Sequence, residues 1–386
     1  MRQVRKVALL VESSHSYGRD VLRGVSAYAQ EHGYWSFYFQ PRALEMPIPG
    51  WLARWEGDGI IARIANEKMA NVLARTKLPV VDLRNSVRGT RYPAVGPDNR
   101  EVARLGAEHF LQRGFRHFAF CGMPRGEYRF MDQRHDWFTT FLDEASCRCA
   151  TFALSLDHHG AKAWDRQQNR LAAWLDRLPK PLAVMAFNDE FGVHVLDACQ
   201  RAGLAVPEQV AVLGSGNDET LCTLCTPPLS SIHLDVERIG YAAAALLDRL
   251  ISGQPPPSET LERPPREIIV RRSTDVLATD DREFAAALRF LRDHACEGIR
   301  VRDVVNHVLI SRSSLERRFK HWLGRTPHDE IRRVQLERAK HLLRETSLPL
   351  STIAHRSGFP SVNYFSEVFH GATGSTPGVF RRKGIR

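Results

Sequence analysis

The stretch Leu182-Ala183-Val184-Met185-Ala186-Phe187-Asn188-Asp189-Glu190 decides the fold. Six apolar residues in a row, bounded by polar ones, read as a short strand buried on both faces. The polar triplet stops the strand, and Glu190 opens a helix, whose dipole favours an acidic group in its first turn. Asn188 and Asp189 then stand at the carboxyl end of a strand. In a parallel sheet flanked by helices, that is where ligands bind.

The same alternation runs outward in both directions. Towards the N-terminus, Val4–Glu12, Trp35–Phe39, Gly59–Ala62, Leu78–Leu83, His117–Cys121 and Thr151–Leu154 read as strands. Tyr17–Glu31 is a helix with Val21, Leu22, Val25, Tyr28 and Ala29 at helical spacing, Asp98-Asn99 caps another, and Trp137–Cys147 is the apolar part of a third. Towards the C-terminus come strands Val210–Leu213 and Ser230–His233, then a helix over Asp235–Ile251 closed by Gly253 and a stiff connector, Gln254-Pro255-Pro256-Pro257. So many βα units predict an α/β fold over residues 1–275, in two doubly wound parallel-sheet lobes, with the ligand beyond the carboxyl ends of the strands or in a cleft between the lobes.

After Arg271-Arg272-Ser273-Thr274 only helices follow, predicting an all-α domain over 281–386. Six are expected: Glu283–Ala295, Arg302–His307, Ser313–Leu323 (buried through Leu315, Phe319 and Trp322), a long one opened by Thr326-Pro327, Ser351–Ser357 and Ser361–Phe369. Two helix-turn-helix units joined by a long helix form a DNA reader, the second helix of each unit entering a major groove. The groove-facing candidates are Ser311, Arg312, Ser313, Glu316, Arg317 and Lys320 in the first unit, and Ser361, Asn363, Tyr364, Ser366 and Glu367 in the second. Arg and Asn are able to read guanine and adenine bidentately, while hydroxyls serve base edges or phosphates.

Charge agrees with this division. The 386 residues carry a formal charge of +10. Between Asp281 and Arg386 stand 20 Lys and Arg against 11 Asp and Glu, so nine of those ten charges fall in the last quarter. A basic module beside a neutral one points to a polyanion partner.

Other function classes find little support. No window approaches the ~18 apolar residues of a membrane helix. The apolar run Val7–Val11 is shorter than the ~7–15 residues a signal peptide needs, so a cytoplasmic protein is expected. Seven cysteines, two of them spaced Cys222-x-x-Cys225, suit reduced thiols better than a disulfide framework or a four-ligand zinc site. Asp157-His158-His159 lacks a third ligand, and no nucleophile elbow, zinc-protease motif or phosphate loop occurs. No catalytic residue, metal or cofactor is expected. The competing reading is a sugar-modifying enzyme with a helical oligomerisation domain.

The run Ile353-Ala354, Gly358-Phe359, Ser361, Tyr364-Phe365, Phe369, Gly374, Thr376-Pro377 and Phe380-Arg381 resembles the signature of the AraC family of bacterial transcription regulators, with Phe380 where that family usually has Tyr. Asn188-Asp189-Glu190, Val212-Leu213-Gly214, Pro228-Leu229, Ser231-Ile232 and Arg272-Ser273-Thr274 resemble the effector domain of LacI/GalR repressors and the periplasmic sugar-binding proteins. A periplasmic-binding-protein-like sensor ahead of an AraC-type reader is similar to the layout of the xylose operon regulators. Stretches such as Tyr17-x-Arg19 and Ser311-Arg312-Ser313-x-Leu315-Glu316 extend the match along the whole chain.

The resemblance implies a sugar-responsive activator of pentose catabolism genes. Its expected partners are double-stranded promoter DNA, a small sugar (D-xylose foremost), a second copy of the chain and RNA polymerase, with no membrane. It places the sugar ligands at Arg134, Asp189, Asn188 and Asn217, with His15, Tyr17, Arg84 and Asn85 as further candidates. Asp98 is expected only to cap a helix. Gly216 stands where sugar binders usually carry Asp and Leu234 where several carry Gln, so two hydroxyl-binding groups are missing.

Overall fold

Why the apolar runs become strands is visible in what covers them. The computed structural model describes residues 4–384 except 34, 44–45, 84–86, 88–89, 91, 155–160, 277–280 and 347. Among these, β1 (Arg5–Leu10), α1 (Ser16–His32), β2 (Trp35–Phe39), β3 (Gly59–Ala62), α2 (Glu67–Thr76) and β4 (Val80–Asp82) build a first lobe. Its parallel sheet has the order β2-β1-β3-β4. Val7, Leu9, Ile61 and Val81 enter one core, while Ala8, Leu10, Ile60, Ala62 and Val80 enter another on the opposite face. Both faces are dry, so these strands read as unbroken apolar runs. Strand β2 is one edge, with Phe37, Tyr38 and Phe39 exposed.

The chain leaves this lobe through β5 (Val95–Pro97). There follow α3 (Asn99–Leu111), β6 (His117–Gly122), α4 (Arg129–Glu144), β7 (Cys149–Ala153), α5 (Ala161–Arg177), β8 (Leu182–Ala186), α6 (Asp189–Arg201), β9 (Val210–Ser215), α7 (Glu219–Leu224) and β10 (Ser230–His233). Then α8 (Val236–Ile251) returns to pack on α1, and β11 (Leu261–Arg263) leads back to β12 (Glu267–Ile269). The second sheet runs β12-β10-β9-β8-β6-β7, parallel except where β12 joins β10 antiparallel. Strands β5 and β11 pair in parallel as a separate ribbon along two of the three crossings between lobes. The third crossing is at Leu234-Asp235. None of the three-residue strands β5, β11 and β12 was expected from the sequence, because three residues are too few to show a period.

Where α1 meets α8 the two backbones touch. A Cβ on Gly24 would stand 1.9 Å from the Glu237 carbonyl oxygen, and one on Gly240 would stand 2.1 Å from that of Val21. Only glycine at both positions permits this approach.

Contacts divide the chain into Met1–Ala278 and Thr279–Arg386. The second unit contains α9 (Arg282–His294), α10 (Val301–Val308), α11 (Arg312–Leu323), α12 (Pro327–Glu345), α13 (Leu350–Arg356), α14 (Val362–Thr373) and α15 (Pro377–Gly384). The last is an addition to the six expected. Helix α12, about 28 Å long at 1.5 Å per residue, divides its apolar face. Ile331 and Val334 join the core of α9–α11, whereas Leu336, Ala339, Leu342 and Leu343 join that of α13–α15.

Candidate functional site

In the first unit a cavity of about 550 Å³ opens between the two sheets, at the carboxyl ends of strands from both lobes. That volume lies within the roughly 300–1,000 Å³ usual for small-molecule sites. His15, Tyr17 and Arg63 line it from the first lobe; Arg134, Phe187, Asn188, Asp189 and Ser215 line it from the second. Gly216 and Leu234 line it too, so the two departures from the sugar-binder pattern face the cavity.

Asp189 begins α6 and is buried. Its Oδ1 accepts from Ser231 Oγ at 2.5 Å, and its Oδ2 accepts from the Asp218 backbone N–H at 2.7 Å. Burial pushes the carboxyl up to about 6, although both hydrogen bonds work against that rise. Asn188 caps the same helix, its side chain accepting from Phe191 N at 3.0 Å. His15 Nδ1 lies 2.6 Å from Glu190 Oε1, and this hydrogen bond raises the imidazole above its ordinary range although burial opposes it. Tyr17 lies under the Arg63 guanidinium, 4.6 Å from ring centre to Cζ, and Arg63 is ion-paired with buried Glu12.

Arg134 is almost completely buried. Nε and Nη2 donate to Asn99 Oδ1 at 3.1 and 2.9 Å, and Nη1 donates to the Phe187 carbonyl at 2.7 Å and to Ser215 Oγ at 2.6 Å. The guanidinium also stacks 4.6 Å above the Phe187 ring. Burial brings it down to about 10. Four of its five N–H groups are engaged within the protein, which leaves one for a ligand. Besides lining the cavity, Arg134 holds α3, the end of β8 and β9 together.

Asn217 departs from its expected place. It does not line the cavity. Its Oδ1 accepts from Arg271 Nη2 at 2.9 Å and its N–H donates to Ser231 Oγ at 3.0 Å, with the backbone in the left-handed region at φ 56°. Those bonds engage the side-chain oxygen and the backbone N–H within the protein. Arg84 and Asn85 lie outside the described residues, as do Asp157, His158 and His159. Sequence reasoning missed Arg63, Asn99 and Ser215. For Asn99 a signal existed, since it follows the cap: Asp98 accepts from Glu101 N at 2.9 Å, and the next side chain turns inward. Among the described residues no cluster suited to a metal occurs, and no helix is long and apolar enough to cross a membrane.

The second unit presents α11 and α14. Ser311 and Ser361 cap these helices, accepting from Ser314 N and Tyr364 N at 3.2 and 3.3 Å. Ser313, Arg317, Asn363 and Glu367 are exposed, and Arg317 makes no hydrogen bond or ion pair among the described residues. Arg312 pairs with Glu316 at 2.9 Å along α11, and Lys320 donates to the Gly324 carbonyl at 3.2 Å. Tyr364 Oη accepts from Arg332 Nη2 at 2.6 Å. Ser366 is half-buried rather than outward, since it flanks Phe365 and Phe369, and Trp322 is half-buried rather than buried.

Helix α12 is locked to both halves of this unit. Fully buried Glu330 accepts from Arg292 at 2.8 Å and Arg333 at 2.9 Å, and pairs with Arg325 at 2.8 Å. Burial alone would raise its carboxyl, but the Arg333 hydrogen bond and the three positive charges prevail and hold it at about 2. Gln335 Nε2 donates to Ala295 O at 2.9 Å and to Gly358 O at 3.1 Å, bridging the two helix-turn-helix halves.

Residues 6–99 match the XylR N-terminal domain, 107–274 the periplasmic binding protein-like domain and 304–383 a helix-turn-helix domain. The xylose operon regulatory protein of Escherichia coli (strain K12) is 34% identical over 384 residues, covering 97% of this chain and 96% of its own. That of Haemophilus influenzae is 30% identical, with 98% of each covered. A solved xylose-binding transcription activator, XylR, superposes over 99% of both chains with 31% identity and a TM-score of 0.78.

Proposed function

The chain belongs to the family of the xylose operon regulatory proteins and is a DNA-binding transcription regulator, and from that premise we propose that D-xylose is the effector that fills its cleft. The cleft itself carries this reading. It sets an ionisable acceptor, Asp189, and the His15–Glu190 pair beside the aromatic face of Phe187. Adjacent equatorial hydroxyls need fixed polar partners, and the apolar face of the sugar ring needs an aromatic surface.

The α11 and α14 surfaces are proposed to enter successive major grooves on one face of DNA, about one turn (~34 Å) apart. Arg317 is then the base reader of α11, because its guanidinium is the one among the candidates there with no partner among the described residues. A homodimer acting in the cytoplasm and contacting RNA polymerase completes the proposal.

Calorimetry of the full chain against a panel of aldopentoses and aldohexoses tests the effector. D-xylose should bind most tightly and be recovered chemically unchanged. Binding by no member of the panel overturns the reading.

A further inference from the structure

A continuous hydrogen-bonded path leads from the cleft to the segment by which the chain leaves the first unit. It starts at Asp189, whose Oδ1 holds the Ser231 hydroxyl. The same Ser231 oxygen accepts from Asn217 N, and Asn217 Oδ1 accepts from Arg271 Nη2. Arg271 opens the exit segment Arg271–Thr274, eight residues before the second unit begins at Thr279. That segment is strapped to the sheet by its own polar groups: Arg271 N donates to Ser230 Oγ at 2.8 Å, and Ser273 Oγ donates to Val212 O at 2.6 Å.

On the reading that a sugar occupies the cleft, we infer that Asn217 and Arg271 are positioning residues that relay occupancy of Asp189 to the exit segment, and so set the sugar response of DNA binding. Neither residue touches the ligand. A sugar hydroxyl that donates to Asp189 competes with the Ser231 and Asp218 donors already on that carboxylate. Ser231 both donates to Asp189 and accepts from Asn217, and linked hydrogen bonds of this type strengthen or weaken together. The Asn217 loop, held at positive φ, presents the only side-chain acceptor recorded for Arg271 among the described residues. A shift of that loop therefore changes what holds the first residue of the exit. The effector acts by binding one arrangement better than the other.

The test uses the full chain, D-xylose and an operator selected with the full chain from a random DNA pool. The quantity read is the ratio of DNA affinities with and without sugar; such coupling factors run from about 5 to 150. Arg271→Ala should bring that ratio to one while D-xylose affinity, measured by calorimetry, stays as in the unsubstituted chain. Asn217→Gly keeps the positive φ but deletes the amide, so it removes the relay without backbone strain and should have the same effect. Arg271→Lys should restore part of the ratio, and the double variant should be no worse than either single one.

If both variants keep the full ratio, or lose sugar affinity in parallel with it, the relay is overturned. Absence of sugar binding by the unsubstituted chain is a different failure, which removes the effector itself.

Discussion

Asp189 is a carboxyl whose environment works against its ionisation. Burial lifts it from 3.8 to about 6, so the folded state holds its proton more tightly than the unfolded chain does. Its contribution to stability is then present below about pH 4 and is lost as pH rises through 6. Sugar binding has the opposite slope, because a hydroxyl donates best to the ionised form. D-xylose affinity should fall as pH drops below 6, by up to about tenfold per unit, and calorimetry between pH 5 and 8 should lose that slope in Asp189→Asn. Slope that remains at the upper end of this interval belongs to His15, which the Glu190 hydrogen bond raises above its ordinary value. Arg134→Ala has two effects. It strands Asn99 Oδ1, which loses both its donors at about 1–3 kcal/mol, while Ser215 Oγ keeps its bond to the Phe187 carbonyl, so thermal unfolding should shift down and sugar binding should fail with it. Strand ends were legible, since an apolar run stops at Asn188. That Arg134 meets residues 35 and 81 positions away was not legible, because no local pattern records a partner brought in by the sheet.

At the scale of elements, the strands were legible where both faces are dry, as in β8 and β9, and the helices where an apolar stripe recurs. Strands β5, β11 and β12 were not, and they are the ones that carry or follow the crossings between lobes. Helix α15 was hidden behind Thr376-Pro377, quoted as a family signature rather than as a helix start. The contact of α1 with α8 yields a prediction of clear sign. Gly→Ala within a helix ordinarily gains about 1 kcal/mol in propensity. For Gly240→Ala the new Cβ meets the Val21 carbonyl, which is backbone and cannot turn aside. Urea unfolding should show a loss of about 1–3 kcal/mol with an unchanged slope. A gain in stability would mean that the helices separate freely.

At the scale of the molecule, nearly all the surplus charge belongs to the unit that reads DNA, and the cleft belongs to the other. Sugar and operator therefore bind to different units of one chain. If occupancy changes how two sensor units hold their readers, footprinting of paired sites should respond to D-xylose more than footprinting of a single site. Equal response at every protein concentration would remove the switch and leave DNA binding standing. The double attachment of α12 has a further consequence, and it concerns heredity rather than binding. Its apolar face serves two cores and Gln335 ties both, so the distance between the readers is a property of one helix. One inserted base pair rotates the second groove by about 35°, and a stiff helix cannot follow. If the two helices enter successive grooves, an insertion or deletion between those grooves should be tolerated less well than a substitution there.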